Sequence, residues 1–138
     1  MQKILIVDDE PDLKDILVHN FKAEQWDALG AESALEALEL INTFKPDVII
    51  SDITMPGMTG LQMLEILENQ NSNTPVIFLT GYSDLQKVRD AWLFGAFDLV
   101  DKPFIIANLM QIADNALRFG VEYVQSSRKR RLRLKKSA

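Results

Sequence analysis

Short, bare apolar runs alternate with amphipathic stretches along this chain, and that rhythm constrains its fold more than any other feature. A strand with one wet face alternates apolar and polar residues, whereas a run such as Ile4-Leu5-Ile6-Val7 must be covered on both sides. Residues 4–7, 48–51, 76–79 and 97–100 read as such strands, with a weaker one at 26–30. Between them the apolar spacing turns helical. Helices are expected at 12–24, through Leu13, Ile16, Leu17 and Phe21, then from the Ser33-Ala34-Leu35-Glu36 capping box to residue 42, and at 60–69, through Leu61, Leu64, Ile66 and Leu67. Another is expected from Ser83 to Phe94, closed by Gly95, and a fifth from Phe104 onward after Pro103. Five strands alternating with five helices require an α/β, doubly wound parallel sheet with helices on both faces.

At 138 residues there is room for one such domain. The longest strictly apolar stretches are far too short to span a bilayer, and the few apolar residues before Asp8 leave no room for a secretory signal, so a cytoplasmic location is expected. With no cysteine and a single histidine, His19, thiolate and multi-histidine metal sites are excluded, as are cysteine nucleophiles. His19 is read as a helix-surface residue; Trp26, Trp92 and the methionines are read as packing residues. Charge divides the chain sharply. Residues 1–125 hold eight basic and all twenty acidic side chains, while 126–138 hold seven basic and none acidic. So acidic a body argues against binding nucleic acid, and leaves that as a minor reading for the tail alone.

In doubly wound sheets, function gathers outside the carboxyl ends of the strands. Those ends carry Asp8 and Asp9, Asp52, Thr80 and Lys102. Crowded carboxylates stay ionised only beside a cation, and an all-oxygen set of this kind suits magnesium. The loop after the first strand has no glycine and carries acid, which excludes a dinucleotide cradle. Gly57-Met58-Thr59-Gly60 lies in an acidic region and is discounted as a nucleic-acid clamp.

These residues resemble the receiver domains of two-component response regulators over roughly residues 2–120. Val7-Asp8-Asp9-Glu10 is similar to the acidic pair, Ser51-Asp52-Ile53-Thr54-Met55-Pro56-Gly57 with Gly60 to the phosphoacceptor segment, Thr80 to the switch hydroxyl, and Lys102-Pro103-Phe104 to the lysine–proline signature. The resemblance implies a flavodoxin-like three-layer sandwich with strand order 2-1-3-4-5. It also implies that Asp52 accepts a phosphoryl group from the phosphohistidine of a sensor histidine kinase or a phosphotransfer protein, with Lys102 and Thr80 assisting. Asp8, Asp9, Asp52 and the Thr54 carbonyl would hold Mg2+, Asp8 through its waters. Slow autodephosphorylation, and no turnover of an external substrate, would follow. The Lys102–Pro103 peptide is expected to be cis. The partners implied are the kinase and an effector, fused C-terminally or separate, with a homodimer also compatible and no membrane involved.

One departure matters. Leu99 stands where the family usually has an aromatic residue three before the lysine, which puts the usual ring readout in doubt and leaves the loop around Thr80, Gly81 and Tyr82 to carry a signal. Thr54 stands where an aspartyl-nucleophile phosphatase would need a second aspartate, so that chemistry lacks its general acid. A phosphate-independent interaction or scaffold module is the alternative reading. The receiver is assigned to residues 1–122, and 123–138 to a basic helix extension, linker or tail. From Leu109 the positions Leu109, Ile112, Ala116, Phe119 and Tyr123 suggest a seam along the fifth helix that continues past the domain edge and ends at Ser126, beyond which the packed positive charges are expected to be solvated.

Overall fold

The computed structural model of the chain describes residues 1–81 and 85–137. Five strands, β1 (Lys3–Val7), β2 (Asp27–Ala31), β3 (Val48–Asp52), β4 (Val76–Thr80) and β5 (Asp98–Asp101), form one parallel sheet in the order β2-β1-β3-β4-β5. The helices between and after them are α1 (Pro11–Ala23), α2 (Ala34–Phe44), α3 (Gly60–Asn69), α4 (Leu85–Leu93) and α5 (Ile106–Ser137). The expected start of α4 at Ser83 lies outside the described residues, as does Tyr82. Among the described residues, no helix is long and apolar enough to cross a membrane.

Because successive strand residues point to opposite faces, the bare apolar runs feed two separate cores. Leu5, Val7, Ile49 and Phe78 face α2, α3 and α4, where Ala37, Met63, Leu64 and Ala91 meet them. Ile4, Ile6, Ile50 and Leu79 face α1 and α5, meeting Leu17, Phe21, Leu109 and Ala113. Each such fully buried aliphatic or aromatic side chain contributes roughly 1.5–3 kcal/mol of transfer free energy.

Helix ends follow local chemistry. Pro11 opens α1, where its missing N–H costs nothing. Ser33 caps α2 by accepting from the Glu36 N–H at 3.1 Å, but the Glu36 carboxylate accepts from the Glu32 N–H instead of closing the expected box. A full capping box occurs at α3 between Thr59 and Gln62. Gly95, at φ +97°, ends α4 as its position in the sequence suggests, with the Ala96 N–H returning to the Ala91 carbonyl.

The C-terminal helix departs from expectation. It continues through Ser126 to Ser137, and its packed face is not the stripe read from the sequence, because Phe119 is 59% exposed. The buried positions are Leu109, Ala113, Ala116, Gly120, Val124 and Ser127, continued by half-buried Arg131. These steps of four, three and four residues repeat every eleven, or about 3.67 per turn, a period that stays on one side of a nearly straight helix where a seven-residue repeat drifts. Small residues permit the approach: a Cβ on Gly120 would collide with the Pro75 ring. Arg128 and Arg131 turn inward onto Glu68, so part of the basic run is packed and not solvated.

Candidate functional site

Parallel pairing brings the strand ends together. Val7 stands opposite Ser51, and Thr80 opposite Asp101, which places Asp8, Asp52, Thr80 and Lys102 around one crevice. The Lys102–Pro103 peptide is cis. Lys102 Nζ lies 3.1 Å from Asp52 Oδ2 and 3.6 Å from both Asp8 Oδ2 and Glu10 Oε1. Burial alone would lower the lysine's pKa, but the hydrogen bond and charge of Asp52, with Asp8 and Glu10, outweigh it and raise it. The ammonium is therefore fixed as a cation.

Asp8 is fully buried. Its Oδ1 accepts the Glu10 N–H at 2.9 Å, whereas Oδ2 is buried and accepts no hydrogen bond. Burial raises its pKa above the usual carboxylate value, the Glu10 N–H and Lys102 only partly opposing this. Asp52 is nearly buried; its Oδ1 accepts a long hydrogen bond from the Thr54 N–H at 3.3 Å. Thr80, also buried, donates its hydroxyl to the Gly81 carbonyl at 2.9 Å. Beyond these carboxylates opens a cavity of about 300 Å³ lined by Asp52, Ile53, Thr54, Thr80, Gly81, Lys87 and Lys102.

Asp8, Glu10 and Asp52 each offer a carboxylate oxygen within 4.8 Å of the others. Asp9, expected beside Asp52, is exposed and stands outside this cluster. Asp9 lies at a bend just after β1, and its side chain is left exposed there. An orphaned, buried carboxylate oxygen beside two further carboxylates fits a divalent cation, since an oxygen-rich, anionic set is what a hard ion binds. Asp8→Asn is accordingly expected to raise stability by about 1 kcal/mol in chelator, by removing a poorly compensated buried charge. It should also blunt the rise in Tm on adding Mg2+; an undiminished Mg2+ response would count against Asp8 as part of the cation site.

Lys87 was not legible as a site residue. Its Nζ donates to Thr54 Oγ1 at 3.1 Å and it borders the same cavity, an arrangement set by how α4 crosses the sheet edge and not by any motif. Leu99 is half-buried against the core on the α2–α4 side.

Fold and site together define a doubly wound α/β domain with an acidic crevice at its strand ends, and comparison with known proteins places it in a family. The response regulator receiver domain family matches residues 4–114, and the chain belongs to that family. It is 36% identical over 119 residues to the DNA-binding transcriptional regulator NtrC of Proteus hauseri, covering 85% of this chain and 25% of that protein. With the regulatory protein AtoC of Escherichia coli K12 it shares 36% over 118 residues, 86% of this chain and 26% of the relative. The chain thus spans about a quarter of the length of these relatives. Among solved structures, the receiver domain of NtrX from Brucella abortus superposes with a TM-score of 0.78 at 32% identity, covering 83% of this chain and 98% of that one. A response regulator receiver domain protein from Clostridium thermocellum gives 0.80 at 29%, covering 86% and 95%.

Proposed function

We propose that the chain is a phosphoacceptor switch in two-component signalling, with Asp52 as the single acceptor. The observation that supports this best is the Asp52 carboxylate at the end of a central strand, 3.1 Å from the Lys102 ammonium and opening onto a cavity. A carboxylate oxygen of Asp52 attacks the phosphorus of a phosphohistidine, the N–P bond breaks, and the imidazole leaves with the bonding pair, giving an acyl phosphate. Phosphoryl transfer depends on positioning and on neutralising charge on the equatorial oxygens, which Lys102 provides from a site that holds it protonated. Asp8, Glu10 and Asp52 would hold Mg2+, and the family resemblance adds Asp9 and the Thr54 carbonyl. Bound there, the cation supplies further positive charge against the transferring group.

Thr80 is the responsive element. Its hydroxyl, now on the Gly81 carbonyl, would re-aim at an acyl phosphate, and that difference in contact is what allows the modification to shift a conformational equilibrium. Thr54 supplies no general acid, so slow self-dephosphorylation is expected and not turnover of an external substrate. The donor is a cytoplasmic sensor kinase or phosphotransfer protein, and the receiver of the signal is an effector domain or protein, by analogy with NtrC, a DNA-binding transcriptional regulator. Half-buried Leu99 favours a second reading, a phosphate-independent docking module, because no aromatic ring is there to swing.

Incubation with acetyl phosphate and Mg2+ should add one phosphoryl group by intact mass, and Asp52→Asn should abolish it. Labelling that survives the substitution would refute Asp52; no mass gain in the unsubstituted chain would favour the docking module.

A further inference from the structure

The family match ends at residue 114, but the packed structure does not. Beyond that point the C-terminal helix lies across the base of the sheet, at the end opposite the acidic site. Arg128 donates to both carboxylate oxygens of Glu68, to Asn73 Oδ1 at 3.1 Å and to the Ser72 carbonyl. Arg131 Nη2 lies 2.9 Å from Glu68 Oε1, and Arg131 Nη1 donates to Ser127 Oγ. The Glu68 side chain is 21% exposed and those of the two arginines 16% and 23%, so the cluster is largely shielded from water. Forked, charge-assisted contacts of this kind are among the strongest a surface can make. Arg131 also lies directly over Gly95, where a Cβ would come within 2.6 Å of its Nη1.

Glu68 belongs to the last turn of α3, and Gly95 follows α4. The other ends of the same two helices border the site. The Gly60 N–H at the start of α3 donates to the Ile53 carbonyl beside Asp52, and Lys87 of α4 donates to Thr54. Helices are stiff and their packing is bistable, so a displacement at one end is felt at the other.

We propose that Glu68, Arg128 and Arg131 form a latch that docks the C-terminal extension of α5, and that the latch is coupled through α3 and α4 to the state of Asp52. The trigger rests on the phosphoacceptor reading; the mechanical coupling does not. Arg131 is the member of the latch seated against the end of α4, at Gly95, so a shift of α4 when Thr80 re-aims displaces the surface on which Arg131 rests, and modification of Asp52 loosens the extension.

Hydrogen exchange by mass spectrometry on the full chain tests both parts. Glu68→Gln, which keeps the shape but removes the charge, should speed exchange about tenfold across residues 121–137 and a few-fold in α4. Arg128→Lys, which keeps the charge but loses the fork, should act in the same direction. Unchanged exchange at 121–137 in both variants would dismiss the latch; faster exchange there with α4 unaltered would dismiss the coupling. In a second arm, acetyl phosphate with Mg2+ is added and intact mass is read on the same sample. A phosphorylated chain whose 121–137 exchange has not risen overturns the trigger. Absence of any mass gain strikes the phosphoacceptor reading instead, and the latch and its coupling are then decided by the two variants.

Discussion

Replacing Lys102 with methionine is expected to slow phosphoryl transfer from acetyl phosphate by roughly a hundredfold, the loss typical of removing one preorganised charge from a developing anion. The same change should cost about 2 kcal/mol of stability in chelator at neutral pH. Breaking a buried pair usually costs more, but Lys102 is about a quarter exposed and the penalty is discounted for solvent. Its pH dependence is diagnostic. Asp8 has a folded-state pKa raised by burial, so it contributes stability when protonated, below its unfolded value near 3.8, and loses it as pH rises through the higher folded value. Without Lys102 that folded value rises further, so more of the penalty should be relieved on moving from about pH 7.5 to about pH 4.5. Urea unfolding at the two pH values checks this. Equal penalties at both would show that Asp8 is not the group left uncompensated.

The next largest effect is expected where a glycine has no room. Alanine at Gly60 would drive a methyl group into the Asp52 backbone carbonyl, within 2.9 Å of Phe78 Cε1 and 3.2 Å of Ile53 Cα, at the start of α3. Backbone and ring cannot both withdraw, so a loss of about 3 kcal/mol is expected. Gly57, three residues earlier, is the contrasting case. It adopts φ +75° with nothing within 4 Å of a built Cβ, so Gly57→Ala should cost only about 1 kcal/mol, the left-handed backbone penalty. Thermal unfolding of the two variants, compared with the unsubstituted chain, gives the ranking; a larger loss at Gly57 would mean that backbone conformation and not crowding governs this loop.

The bare apolar runs made the strands readable because nothing but a doubly covered parallel sheet buries them on both faces, and α3 falls on the expected residues 60–69. The crevice was readable for the same reason, since strand ends in such a sheet are neighbours whatever the loops do. What stayed hidden depended on geometry that residue identity does not carry. Asp9 and Glu10 are both acids after β1, and only the path of the bend between them decides which one joins Asp52. Lys87 is one lysine on an amphipathic helix until the path of α4 brings it to Thr54. In α5, Leu109 and Ala116 fit repeats of both seven and eleven residues, and contact at Gly120 and Val124 selects the longer one. A run of positive charge reads as solvated until a buried-side acid such as Glu68 is found beneath it.

The sheet keeps its two cores apart, with Met63 on one side and Phe21 on the other. Side chains buried in the two cores share no partner, so the free-energy effects of substitutions within them should add to within about 0.5 kcal/mol. A lineage carrying this fold can therefore repack the core under α2, α3 and α4 while the core under α1 and α5 stays as it is. Packing can drift on one side of the molecule without a matching change on the other.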